Sequence, residues 1–160
     1  MLSALLLFGV AAVLRFVLAG ERGLWADELF SLAMATGHSL EHPARDADPR
    51  LGDFIEPPGP ESPAVLRRYM EHERPPVGPG RVIRAVLLSD TSPPAYYLIL
   101  NAWTRVFGTG DVALRMLSVL WAALTLPFLW LLGRELGGPR MAWSAAILFA
   151  LSPVSLFYSL

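Results

Sequence analysis

No cysteine occurs among the 160 residues, which excludes a disulfide framework, a thiol nucleophile and any Cys-ligated metal site. Lysine is missing as well, so all thirteen basic residues are Arg. Charge of either sign is scarce, at 17% of residues against about 25% in soluble domains, whereas 54% are hydrophobic. A formal net charge of −1 gives no general basic surface for nucleic acid and no acidic tail. The ends also lack acids: every one except Glu135 lies between Glu21 and Asp111. The G-x-G-x-x-G, P-loop and G-x-S-x-G patterns are absent. With a mean hydropathy of +0.45, this is the composition of a membrane protein with a polar block between apolar ends.

The apolar segments are long enough to count as spans. Residues 2–19 are almost unbroken hydrophobic sequence, which suits a helix crossing a ~30 Å hydrocarbon core and makes 1–20 the first transmembrane segment. Arg15 sits near its outer end, where a long side chain snorkels to the headgroups. Val17 and Ala19 also fit a signal-peptide cleavage site, against which stand an uncharged N-terminal region and the interrupting Arg15. Residues 112–132 predict a second span, with Pro127 tolerated inside it, and residues 141–160 a third with no charge. The turn at 133–140 carries Arg134 and Arg140 and reads as cytoplasmic, which puts the long segment 21–111 outside.

That segment is broken by runs such as Glu56-Pro57-Pro58-Gly59-Pro60 and Pro75-Pro76-Val77-Gly78-Pro79-Gly80, which read as loops. Two short helices are expected within it, over 24–36 with Gly37 as the stop and, more weakly, over 64–73. Residues 93–107 are apolar and aromatic but short and carry Arg105, which suits an interfacial helix with Tyr96, Tyr97 and Trp103 at the headgroups. The expected fold is all-α: a polytopic membrane protein of three spans, with amphipathic interfacial helices in a long first extracytoplasmic loop. The domains are 1–20, 21–111 and 112–160.

The most informative local feature is Leu24-Trp25-Ala26-Asp27-Glu28 just after the first span. A carboxylate beside the membrane, in a partly desolvated setting, can take a proton from an acceptor hydroxyl. Neighbours on a helix point about 100° apart, so the two acids do not share one task. The plainer alternative makes Asp27 an N-cap and Glu28 a first-turn acid favoured by the helix dipole. His38-Ser39-Leu40-Glu41-His42 fits H-x-x-E-H, a zinc-peptidase pattern. Gly37 before it and Pro43 after it oppose the continuous helix such a site needs, and favour solvated loop histidines.

The Trp-Ala-Asp-Glu stretch after the first helix resembles the acidic motif of GT-C class membrane glycosyltransferases, including protein O-mannosyltransferases and aminoarabinose transferases. A second, ordered set is similar to the same class. It runs from Asp90-Thr91-Ser92-Pro93-Pro94-Ala95-Tyr96-Tyr97-Leu98 through Trp103, Val106-Phe107-Gly108, Ala113-Leu114-Arg115, Leu126-Pro127 and Leu132-Gly133-Arg134 to Ser152-Pro153. The resemblance implies an inverting transfer from a polyprenyl-phosphate-linked sugar to the hydroxyl of a protein, lipid or glycan acceptor. Asp27 takes the place of the catalytic base and Glu28 that of its acidic neighbour, orienting acceptor or metal. Asp90, Pro93, Pro94, Tyr96 and Tyr97 fall at the rim of the donor-lipid site, and Arg105 and Arg115 are candidates for stabilising the leaving phosphate.

A divalent metal is compatible with this chemistry, and no other cofactor is implied. Where many relatives carry His between the Asp and the Pro-Pro pair, this chain has Ser92, which leaves a metal or acceptor contact there open. Family members also carry many more spans than three, so the 160 residues are expected to be the N-terminal part of a longer plasma-membrane enzyme. The alternative is a small non-catalytic membrane protein or a truncated relic, with a zinc peptidase more remote.

Overall fold

The computed structural model describes residues 6, 9–13, 15, 17, 24–89 and 92–152. Among them the secondary structure is helical, with no strand, in agreement with the all-α expectation. The chain divides into two compact units, Leu24–Leu114 and a second made of Met1–Gly23 with Arg115–Leu160.

The first unit is built on α1 (Ala26–Thr36), α2 (Pro63–Arg67), α3 (Pro79–Ser89) and α4 (Ala95–Phe107), with 3-10 turns at Ala44–Asp46, Pro49–Leu51 and Arg68–Met70. Helices α1, α3 and α4 pack on one another. The core between them holds Met34, Val77, Val82, Val86 and Tyr97, with Phe30 and Leu98 partly buried against it. Helix α1 stops where the sequence predicts: Gly37 adopts the left-handed conformation (φ 89°), and its N–H reaches the Met34 carbonyl at 3.0 Å. A Cβ at this position would be strained by that φ and would lie 2.5 Å from Val77 Cγ2.

Helix α3 is a correction. The pattern Pro75–Gly80 reads as loop, yet Pro79 opens a helix, where its missing N–H costs nothing. Val82, Ala85 and Val86 then form its buried stripe. The weak helix expected over 64–73 condenses to α2 and the 3-10 turn that follows it. Helix α4 packs with one face in the unit: Tyr97, Leu100, Asn101 and Thr104 are buried, while Tyr96, Ile99, Val106 and Phe107 remain exposed. Its polar stripe has partners here, since Asn101 Nδ2 donates to the Ala35 carbonyl at 2.7 Å and Trp103 Nε1 to the Ala113 carbonyl at 2.7 Å. Gly108, with its N–H on the Thr104 carbonyl, ends the helix at the expected Phe-Gly step.

Ion pairs lace the loops of this unit. Asp53, 2% exposed, accepts from both terminal nitrogens of Arg84 at 2.9 and 2.8 Å and from the Asp48 backbone N–H at 2.7 Å. Burial pushes its carboxyl up, but the hydrogen bonds from Arg84 and Asp48 outweigh this and hold it below the usual range. Arg81 donates through Nε to the Gly37 carbonyl at 3.1 Å and forks onto Glu73 at 3.0 and 2.6 Å.

The second unit contains helical residues described between 6 and 17 and most of α5 (Asp111–Leu151), which is long and apolar enough to cross a membrane. Pro127 lies inside α5 without disturbing it, whereas Gly137 and Gly138 have non-helical torsions that divide it into two arms. The arms fold back on each other. A Cβ on Gly133 would meet the Ala142 backbone at 2.8 Å, and Leu126 shares a buried cluster with Ala146, Ala150 and Ala11. Arg15 departs from the snorkelling expectation. It is 1% exposed, with Nη1 donating to the Ala11 and Ala150 carbonyls at 3.3 Å and Nη2 to Phe149 at 3.4 Å. Carbonyls in the last turn of a helix lack intrahelical donors and carry partial negative charge, which suits them to a guanidinium. The final part of the third expected span, residues 153–160, lies outside the described residues.

Candidate functional site

Helix α1 begins at an unusual cap. Trp25 holds the N-cap position in extended conformation, and Glu28 Oε2 accepts from its backbone N–H at 2.7 Å. This is the acidic half of a capping box; the indole of Trp25 has only a donor and cannot supply the other half. The two adjacent acids therefore divide their work. Glu28 closes the first turn, and Asp27, one residue earlier, is not the N-cap that the plainer alternative required.

Asp27 is exposed and makes no hydrogen bond or ion pair among the described residues. It borders a cavity of about 250 Å³ whose wall is completed by Phe30, Ser31 and Met34 of α1, Glu41, Ser89 at the end of α3, and Tyr97 of α4. The walls follow from the helix packing. Residues 27, 30, 31 and 34 recur at helical spacing along one side of α1, and α3 and α4 dock against that side. Phe30, Met34 and Tyr97 are shared with the hydrophobic core, so the cavity has an apolar floor and a polar rim.

The cavity brings together two of the residues singled out from sequence, Asp27 and Tyr97. Tyr96 stacks edge-on against Tyr97, with ring centroids 5.4 Å apart. Tyr96 is 41% exposed as a residue, yet its phenol is pushed above the ordinary value, first by the protein packed around it and then by the nearby Glu28 carboxylate. Pro93 is exposed and Pro94 half-buried, and Pro94 is the N-cap of α4, so this pair sets where the helix carrying both tyrosines begins. Asp90 lies outside the described residues.

The two arginines proposed for phosphate have other surroundings. Arg105 on α4 donates to the Val77 carbonyl and so ties that helix to the loop before α3. Arg115 lies on α5, is 2% exposed and belongs to the second unit. Neither lines the cavity beside Asp27.

The H-x-x-E-H segment is not a helix and does not gather its side chains. His38 is buried, with Nδ1 3.0 Å from Thr36 Oγ1 and Nε2 3.4 Å from Glu73 Oε1, and burial pulls its pKa below the ordinary histidine value. His42 instead faces Ser39, with Nδ1 2.8 Å from its hydroxyl, which is in turn 2.6 Å from the Ser89 hydroxyl. Among the described residues no group of three His, Cys, Asp or Glu side chains is placed to hold a metal ion. The donor set for zinc in this segment is therefore not assembled.

Sequence reasoning missed Glu41, Ser31 and Ser89 as cavity residues. Ser31 was within reach, being one helical turn from Asp27 on the same face. Glu41 and Ser89 carry no local signal, because only the packing of α3 and the loop after α1 brings them there.

Residues 91–160 match the family model described as dolichyl-phosphate-mannose-protein mannosyltransferase. The matched stretch includes Tyr97 and the whole of α4 and α5, and it agrees with the resemblance to a GT-C glycosyltransferase fragment read from the sequence. No curated protein and no solved structure matches the chain.

Proposed function

We propose that this chain forms the N-terminal part of an inverting membrane glycosyltransferase that takes its sugar from a polyprenyl-phosphate donor. Asp27 is the base that removes the proton from an acceptor hydroxyl as the hydroxyl attacks the anomeric carbon and polyprenyl phosphate leaves. One observation carries this: a cavity joins Asp27, which lies outside the family match, to Tyr97, which lies within it. Asp27 is the acid of the pair with no partner among the described residues, and so it is available to a substrate. Glu28 holds the first turn of α1 in place and fixes the direction in which Asp27 points. Asp90, Pro93, Pro94 and Tyr96 form the donor-side rim, and Arg105, on the same helix as Tyr96, is the candidate cation for the leaving phosphate.

Three spans are proposed for the membrane: the first hydrophobic segment and the two arms of α5, with 24–114 on the extracytoplasmic side. Large apolar side chains on the first arm, Leu120, Trp121, Leu124, Phe128, Leu131 and Leu132, remain exposed and suit contact with lipid. Arg134 and Arg140 beside the break suit a cytoplasmic turn. A non-catalytic protein whose acid pair only caps a helix is less favoured, because capping engages Glu28 and leaves Asp27 at the cavity.

The test is Asp27→Asn in the full-length protein, assayed with a polyprenyl-phosphate-linked sugar and a hydroxyl acceptor. Removing a general base lowers turnover by about 10²–10⁴-fold, and expression and melting temperature should be unaltered because the side chain is exposed. Wild-type turnover in this variant would sink the assignment.

A further inference from the structure

The cavity beside Asp27 has a charge pattern that bears on what enters it. Its described lining holds two carboxylates, Asp27 and Glu41, two hydroxyls, Ser31 and Ser89, and the Tyr97 ring over an apolar floor of Phe30 and Met34. No arginine is among its described lining residues. An anionic donor phosphate finds no cation there and two repelling acids, so the cavity belongs to the acceptor. Its volume of about 250 Å³ lies below the roughly 300–1,000 Å³ typical of pockets for whole small molecules. It therefore admits one residue-sized group with its immediate neighbour.

Glu41 has no role in the fold that its side chain would explain. Its backbone carbonyl accepts from the Ser39 hydroxyl at 3.3 Å, while its side chain is exposed and has no partner among the described residues. Ser39 is held in turn, 2.6 Å from Ser89, so the backbone at Glu41 is anchored to the end of α3 and the residue borders the cavity. Resting on the assignment of Asp27 as base, we propose that Glu41 is a specificity-determining residue that selects peptide acceptors with a basic residue beside the reacting serine or threonine hydroxyl. The hydroxyl faces Asp27 and the neighbouring ammonium or guanidinium faces Glu41. Glu41 takes no proton and forms no bond with the sugar.

The experiment uses two synthetic peptides, each with one threonine, that differ only in a Lys or a norleucine next to it. Binding to full-length protein in nanodiscs is measured by calorimetry, and transfer from a polyprenyl-phosphate-linked sugar is measured in parallel. Wild type should bind the Lys peptide about three- to fivefold more tightly, the scale of a partly exposed ion pair, and the gap should shrink as salt is raised. Glu41→Gln should close the gap and Glu41→Asp should restore most of it, with equal melting temperatures showing that the fold is intact. A gap that persists in Glu41→Gln, or no gap in wild type, overturns the proposal. Tighter binding of an amino-sugar oligosaccharide than of the Lys peptide overturns the assignment to peptide. Asp27→Asn separates the two ideas: if it keeps the binding gap and also keeps full turnover, the base assignment fails and the selectivity of Glu41 stands.

Discussion

Asp53 shows how a single side chain can fasten loops that the sequence leaves far apart. It is buried, while its partner Arg84 keeps 31% of its side chain exposed. Asp53→Ala is expected to destabilise the protein by about 2–3 kcal/mol, less than the 3–5 of a fully buried pair because water still reaches Arg84. Thermal unfolding followed by tryptophan fluorescence would measure it. The pH dependence follows from the direction of the shift. A carboxyl held below its unfolded value contributes its full stabilisation above about pH 4 and loses it as pH falls through the folded-state pKa. In Asp53→Ala, the acid side of the stability profile should flatten.

The histidines act in the same sense at higher pH. Burial lowers His38, helped by the Arg81 cation and opposed by Glu73, and burial also lowers His72, helped by Arg105 and His38. Between the folded-state value and the ordinary value of about 6.5, the unfolded chain binds a proton that the folded chain does not. Stability therefore rises with pH across that window, and melting at pH 5 should come below melting at pH 7. His38→Gln should reduce the difference, and an equal difference in the variant would contradict this account.

At the level of elements, the arms of α5 depend on Gly133. Any side chain there drives a Cβ to 2.8 Å from the Ala142 backbone, which cannot rotate away. Gly133→Ala should lower stability by about 1–3 kcal/mol, the usual cost of overpacking, whereas Gly110→Ala, with nothing within 4 Å of the added atom, should be nearly neutral. Comparing melting temperatures of the two purified variants tests this. What could be seen in the sequence divides along the same lines. Helix α1 was legible because its period and its Gly37 stop are local, and the arms of α5 because apolar length is local. Helix α3 was hidden by the Pro-Gly run at its start, where the breaker signal and the helix-start signal are written with the same residues. The burial of Tyr97 was missed because an aromatic, amphipathic helix looks alike whether its apolar face meets lipid or protein. At the site, Asp27 was visible from its neighbours, while Glu41 and Ser89 meet it only through tertiary packing.

For the whole molecule, these 160 residues hold no cysteine, so a single thiol introduced among them is the only one in this stretch and its labelling there reports topology. Gly59→Cys, in an exposed loop of the first unit, should react with an impermeant maleimide on intact cells. Leu136→Cys, exposed beside the break in α5, should react only after permeabilisation. The reverse pattern would invert the proposed orientation and remove Asp27 from the extracytoplasmic side. The carbonyl partners of Arg15 add a consequence in time. Ala150 is 135 positions downstream, so at the ribosome's pace of about 5–20 residues per second the guanidinium waits roughly 7–27 s for that acceptor to be synthesised. Under the proposed topology, the segment around Arg15 therefore completes its contacts only after both arms of α5 have been made.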